Sequence, residues 1–546
     1  MLASGPAFIK AKGNEIALFS YDTELCELEV EVDLPNKRIR QLNSDEYVEE
    51  IIIANPKGKN VKPNVNVKLK PKFRDIFEVR GIVHPIEREI KREGNRYSYR
   101  GIDGVERWFK VSISSIPSIR GKSFGKIRVG IKFGAALPPI KKYNPRIRGK
   151  GLNGLLEKAI YHINLLSVII DGNTILFAGI PDYYCIFGRD SIIASLFLLP
   201  YAPEYARGTL KILAKLQGKK FDKRTLEEPG KIPHEFRFGE LSLSKKMPFS
   251  PYYGSIDSTP LYALLAWEYL KTTGDEKLIQ EIREPLLKAY EWIIVKLEEE
   301  GFIKYDFANP FRPMNQGWKD SKEGVPGAKP PIALVEVQGY AYAALMGFYE
   351  FLGIKEAKEK ARKLRRRFNR LFKGKRGYKL TPDSDVLASN QGHLLFTGIA
   401  DDPEKIIEAL FSQQLMTRWG IRTLGENEEA YDPFSYHNGS IWPHDNAIIA
   451  LGLCRVGEQE KADEIGKRVV DALYSLNKIP ELYAGLDSPV PFEVERANEP
   501  QAWSAAAIFA FITVAIENGK TLLPDLKLKS RINVEVKDGK VKAETP

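Results

Sequence analysis

With 546 residues, 43% of them hydrophobic and 28% charged, the chain is long enough for two to four compact units, and its balance excludes a disordered tract, a fibrous repeat or a small disulfide scaffold. The net charge of +11 sits at one end: Lys and Arg outnumber Asp and Glu 30 to 18 over residues 1–150 and stand at 52 to 53 over the rest. The basic region lacks the interleaved aromatic platform of a nucleic-acid surface, so nucleic acid is not the expected partner. Cys26, Cys185 and Cys454 are odd in number and far apart, which excludes a disulfide framework and fits a reducing, cytoplasmic compartment.

The chain starts Met1-Leu2-Ala3-Ser4-Gly5-Pro6, without the charged and apolar regions of a secretory signal. Residues 1–148 then read as an all-β sandwich: short alternating runs such as Glu27 to Val32, Glu49 to Ile53, Val65 to Leu69 and Phe109 to Ile113, with Gly, Pro and Asn between them. Leu137 to Pro145, rich in Pro and charge, marks a linker. From there to residue 523 the pattern is helical. Pro203 to Leu216, Asp275 to Leu297, Ile354 to Leu371, Pro403 to Met416 and Gly457 to Leu473 carry one charged face, as outer helices do. Asp190 to Leu199, Ser258 to Leu270, Val337 to Tyr349, Ser440 to Leu453 and Ala502 to Ile516 are apolar nearly all round.

About twelve segments in six such pairs predict a mainly α fold, an (α/α)6 toroid of six-hairpin type behind the β-sandwich. The longest apolar stretch, the 12 residues Ala505 to Ile516, is short of the ~20 needed to span a bilayer, so no membrane partner is expected. Residues 524–546 read as a tail, with a β-hairpin centred on Lys537-Asp538-Gly539-Lys540 that is expected to pack on the N-terminal domain. Lys363 to Lys375, including Arg365-Arg366-Arg367, reads as a solvated outer-helix surface. High Lys and Glu with few Cys is the composition of heat-adapted proteins.

Polar and aromatic motifs recur at the N-terminal end of each inner helix: Gly188-Arg189-Asp190-Ser191, Tyr253 to Ser258, Glu336 to Tyr340, Ser389 to His393, Tyr436 to Ser440 and Pro500 to Ser504. Any one of their Ser, Asp or Asn residues serves equally as a helix N-cap. Six motifs at one end of six helices would instead converge on one cavity, facing the positive ends of the helix dipoles. A glycosidic bond breaks through an oxocarbenium-like state and needs one protonated acid and one carboxylate. The candidates are Asp190, Glu235, Asp257, Asp320, Glu336, Asp445 and Glu481. Asp320 stands out, because Asn315-Gln316-Gly317-Trp318-Lys319-Asp320-Ser321 follows Pro310 and Pro313 as a loop, and Trp318 can desolvate the acid. Glu481 stands in Ile479-Pro480-Glu481-Leu482-Tyr483, ahead of Gln501-Ala502-Trp503-Ser504.

With Phe73 to Gly81, Phe187 to Ser191, Ile232-Pro233-His234-Glu235, Gln316 to Ser321 and Pro480-Glu481-Leu482, these blocks make the chain resemble, over nearly its whole length, the amylo-α-1,6-glucosidase family, the glucosidase part of glycogen debranching enzymes. It is more distantly similar to trehalase-like and glucoamylase-like hydrolases. The resemblance implies an inverting hydrolase with Asp320 as general acid and Glu481 as general base, their carboxyls roughly 6.5–9.5 Å apart to admit a water. It implies substrate contacts from Arg189, Asp190, His234, Glu235 and Asp257, and a pocket lined by Trp318, Tyr436, His437, Trp442 and Trp503. Asp257 is the alternative acid. No metal or other cofactor is implied: His234 and Glu235 are adjacent, and His437 and His444 lack acidic partners at ligand spacing. The expected substrate is an oligosaccharide or branched glucan.

The chain has no room for the transferase barrel of the eukaryotic debranching enzyme, so trehalose, maltose or another small α-glucoside stays open as substrate. A phosphorolytic enzyme would need a phosphate pocket where Glu481 stands, and a non-catalytic glucan-binding protein would tolerate loss of that carboxylate. Linkage preference and oligomeric state are not legible.

Overall fold

The computed structural model describes residues 2–145, 147–151, 154–306, 315–515, 533–537 and 540–544. The chain divides into two compact units, one formed by Met1–Tyr143, Ser167–Gly172 and Arg237–Ser250, the other by Asn144–Leu166, Asn173–Phe236 and Pro251–Pro546. The stretch with Pro310 and Pro313, expected ahead of the acid loop, lies outside the described residues.

In the first unit β1 (Leu2–Ser4), β2 (Ala7–Lys12), β3 (Glu15–Ser20), β4 (Thr23–Val32) and β7 (Val65–Asp75) form an antiparallel sheet in that order. A second sheet has the order β5 (Asn36–Leu42), β6 (Glu46–Ala54), β11 (Phe124–Ala135), β10 (Glu106–Ile113), β9 (Arg96–Arg100), β8 (Lys91–Glu93). The alternation seen in the sequence is the cause. Leu18, Leu28, Val30 and Phe73 from one sheet, and Tyr47, Ile51, Phe109, Ile127 and Ile131 from the other, form one continuous core. The expected sandwich is therefore present.

Several of its buried charges are paired. Glu49 accepts from Arg38 and Arg40 at 3.1 and 2.9 Å, and Arg88 bridges Glu78 and Glu240. Asp75 accepts from Phe77 N at 3.0 Å and Leu241 N at 2.9 Å, so the Phe73 to Gly81 block is a capped turn holding the Arg237–Ser250 segment.

The second unit is helical. Its inner helices are α2 (Gly188–Leu198), α4 (Ser258–Thr273), α6 (Val335–Leu352), α8 (His393–Thr397, after a 3-10 turn Ser389–Gly392), α10 (Pro443–Arg455) and α12 (Ala502–Ala515). Each packs on the next, and α12 packs back on α2, so the ring closes. Around it run α1 (Leu155–Leu166), α3 (Pro203–Leu216), α5 (Arg283–Glu300), α7 (Lys355–Phe372), α9 (Pro403–Leu410) and α11 (Gln459–Leu476). In α12 every residue but Thr513 and Ala515 is buried, which only a helix walled on all sides achieves. In α7 the buried set Ala357, Ala361, Leu364, Phe368 and Phe372 recurs at three- and four-residue steps, one face only. This is the predicted (α/α)6 arrangement. Close packing of α4 on α6 depends on Gly347, where a Cβ would stand 2.0 Å from the Trp267 ring.

Three local expectations change. Asp275 to Leu297 is two helices, Glu276–Glu281 and α5, because the Pro285 ring would clash with the Glu281 carbonyl if the helix continued. The inner helix expected from Ser440 starts at Pro443, its preferred first position. The C-terminal hairpin forms, Asn533–Lys537 against Lys540–Glu544, but its first strand pairs parallel with Arg148–Gly151 of the helical unit instead of with the β-sandwich.

Candidate active site

Side chains at the N-terminal ends of the inner helices touch around the ring. Arg189 of α2 donates to Asp257, the residue before α4, at 3.0 and 2.7 Å. Tyr340 of α6 donates to His393 Nδ1 of α8 at 2.5 Å, and His393 Nε2 donates to Asp445 of α10 at 2.8 Å. His444 of α10 stacks on Trp503 of α12, centroids 3.8 Å apart, and Gln501 reaches Asp190 of α2 at 3.3 Å. The six motifs therefore share one end of one ring. Arg189, Asp190, Glu336 and Trp503 lie inside the first helical turns, where the sequence placed their motifs just ahead.

The capping alternative fails for Asp257. It occupies the N-cap position of α4 yet makes no capping bond, its carboxylate being committed to Arg189 and to the Ser255 hydroxyl. Asp402 and Asp275, ahead of outer-layer helices, do cap them.

Asp320 follows Trp318 and Lys319, both 2% exposed, but its own side chain is 29% exposed, so water reaches it. Its Oδ2 accepts from Arg189 at 3.1 Å, with His234 Nε2 at 3.8 Å. Burial pushes its carboxyl up to about 6; Arg189 opposes this, and Asp257 and Glu235 add to it. Glu235 arrives on a short strand, Glu235–Phe236, paired with Ile186–Phe187, and His234 immediately precedes it, its carbonyl accepting from Gly188 N at 2.8 Å. Gly188 permits that approach, because a Cβ there would meet the Pro233 carbonyl at 2.1 Å. Burial works against the Arg189 charge, but Asp257, Asp320 and Asp190 outweigh it, with a net upward shift.

Glu481 is buried. Its Oε2 accepts from the backbone N and the Nδ2 of Asn498, each at 3.2 Å, and Tyr436 donates to the same carboxyl. Desolvation nonetheless raises it to about 8, with the Asp190 charge contributing. Asp190, raised to about 7 by burial, also feels Asp320.

The aromatic residues gather as expected. Trp318 lies against His437, Trp442 and His444 at 5.8, 5.6 and 5.0 Å, and Tyr436 lies against Trp442 at 5.0 Å. One face of Trp442 is covered by His437 at 5.2 Å and one of Trp503 by His444. Among the described residues, His444 Nδ1 and Nε2, Trp318 Nε1, Trp503 Nε1 and Asp445 Oδ2 have no hydrogen-bond partner. Such buried polar atoms are what ordered water or sugar hydroxyls complete.

Asn498, Lys319, His393 and His444 were not singled out as site residues from the sequence. Asn498 carries no motif signal, since its role depends on a chain reversal that brings it beside Glu481. His444 and Lys319 stood inside blocks already noticed.

Residues 355–488 match the family model of the mannosylglycerate hydrolase MGH1-like glycoside hydrolase domain, and residues 29–143 match that of the N-terminal domain of (some) glycogen debranching enzymes. The chain therefore carries a glycoside hydrolase family domain of six-hairpin fold behind a debranching-enzyme type N-terminal domain. GH63 mannosylglycerate hydrolase from Thermus thermophilus, in complex with Tris and D-glycerate, superposes with a TM-score of 0.52 at 15% identity, over 65% of this chain and 99% of that one. The Tris complex of that hydrolase gives 0.50 at 15%, over 66% and 100%. A glycosidase variant in complex with glucose gives 0.50 at 13%, over 68% and 98%. At these identities the shared feature is the fold. No curated protein matches the sequence.

Proposed function

We propose that this protein is an inverting glycoside hydrolase that releases glucose from α-glucosidic linkages, foremost the α-1,6-linked glucose of debranching intermediates of glycogen or branched maltodextrin. The carrying observation is geometric: Asp320, held by Arg189 of α2 at 3.1 Å, and Glu481, held by Asn498 at 3.2 Å and by Ser504 of α12 through its carbonyl, stand at one end of a glycoside hydrolase ring. Asp320 gives its proton to the leaving oxygen as the anomeric C–O bond breaks. Water attacks the opposite face of the sugar, and Glu481 takes the water's proton. The products are the inverted free sugar and the alcohol; Asp320 ends ionised, Glu481 protonated, and proton exchange with solvent resets both. Arg189, Asp190, Asp257, His234 and Glu235 hold sugar hydroxyls, with Trp318, Tyr436, His437, Trp442 and Trp503 as walls. The debranching-type N-terminal domain supports the branched-glucan substrate.

A second reading, a small α-glycoside such as mannosylglycerate as substrate, is favoured by the match of residues 355–488. Sugar release from singly α-1,6-branched maltodextrins, panose, maltose, trehalose and mannosylglycerate separates the two. Preference for the branched substrates, lost in Asp320→Asn and Glu481→Gln, is the expected result. Turnover of mannosylglycerate alone transfers the assignment to the second reading, and turnover of none overturns both.

A further inference from the structure

Lys319 precedes the acid in sequence, and its side chain runs the other way, into the interior. It is 2% exposed, its Nζ donates to the Thr423 carbonyl at 2.7 Å, and it lies 5.1 Å from the centre of the Trp318 ring. Burial lowers its ammonium to about 8, and the charges of Asp445 and Glu336, both fully buried, oppose that shift. Asp445 is itself oriented by His393, which also stacks near Trp318 at 6.3 Å. On the far side of Asp320, the Ser321 hydroxyl donates to His437 Nδ1 at 2.7 Å. Thr423 Oγ1 in turn accepts from Gly439 N at 2.9 Å, so the segments carrying both anchors are joined.

A buried ammonium is costly to desolvate and is retained only where partners compensate it. Here the hydrogen bond to the Thr423 carbonyl, deep in the interior, fixes the residue next to Asp320. Nothing else in the Gln316 to Ser321 loop carries a charge into the interior.

Building on the proposed acid role of Asp320, we propose that Lys319 is a positioning residue for that acid: its buried tether to Thr423 holds the Asp320 carboxyl where the leaving oxygen will be. Misplacing a reacting group by about 1 Å costs on the order of 10²-fold. The loss falls only on reactions that need the proton.

The test compares Lys319→Met, Lys319→Arg and Asp320→Asn on the glycoside that the wild type cleaves best and on the α-fluoride of the sugar it releases. Fluoride leaves as an anion without a proton, while water and Glu481 are still required. Lys319→Met is expected to lose about 10²-fold in kcat on the glycoside, with KM little changed. It keeps fluoride turnover within about tenfold, as Asp320→Asn does. Lys319→Arg restores part of the glycoside activity. Equal loss on both substrates in Lys319→Met, with fluoride spared in Asp320→Asn, overturns the positioning role. Loss of fluoride turnover in Asp320→Asn overturns the acid assignment itself, and the Lys319 role with it. Should Lys319→Met fail to fold because two carboxylates are left uncompensated, Lys319→Met with Asp445→Asn removes one of them while still lacking the tether, and is read in the same way.

Discussion

The two units differ in how most of their buried charge is held, although burial also raises Asp75 of the β-sandwich unit, to about 7. In the β-sandwich unit, Glu49 is held by two arginines, Arg107 pairs with Asp103 at 2.7 Å, and Arg88 serves both Glu78 and Glu240. In the helical ring, Gln501 donates to the Asp190 carboxylate at 3.3 Å, and the carboxyls of Asp190, Asp320 and Glu481 are all pushed up by burial. Paired charges are architecture, fixed around neutral pH. Carboxyls held near the protonation point of neutral solution are able to give and take protons, which costs stability and supplies chemistry.

The contrast is broken most severely at Glu481. Glu481→Gln leaves the fold but no base, and activity on every glycoside and on the sugar fluoride should fall by about 10³–10⁴-fold, read as initial rates. Asp320→Asn should lose about 10²–10⁴-fold on glycosides alone; the opposite pattern, fluoride lost in Asp320→Asn and spared in Glu481→Gln, exchanges the two roles.

In the sandwich the expected damage is to stability. Arg88→Met strands Glu78 and Glu240 and should cost about 3–5 kcal/mol, measured by denaturant unfolding. His444→Phe should do the reverse. Its ring nitrogens have no partner among the described residues, and burial already holds its imidazole neutral, far below the usual range. An apolar ring of similar shape on Trp503 is expected to stabilise by about 1 kcal/mol while weakening sugar binding.

The pH profile sharpens the picture. With Asp320 required protonated at about 6 and Glu481 ionised at about 8, the productive combination is a minor form whose population peaks between the two. The rate on glycosides should rise with pH below 6, peak near the midpoint and fall above 8. On the fluoride, which needs no acid, the alkaline fall should disappear.

Much of this was legible in the sequence because periodicity reports burial. The one-faced pattern of Lys355–Phe372 and the all-round apolar pattern of Ala502–Ala515 assign outer and inner layers by themselves, and the motif ends of the inner helices then meet by geometry. Asn498 and Lys319 were not legible as site residues. One acts by folding back on Glu481 from 17 positions away, the other by pointing away from the cavity, and neither relation leaves a spacing in the chain. The break at Ile282 was readable from Pro285.

Proton NMR of the first sugar released by the wild type from a singly α-1,6-branched maltodextrin tests the central claim most directly. A carboxylate pair that admits water between acid and base yields the β-anomer first, with the α-anomer growing only by mutarotation. The α-anomer appearing first would mean retention, and would contradict the assignment of Glu481 as a base acting through water.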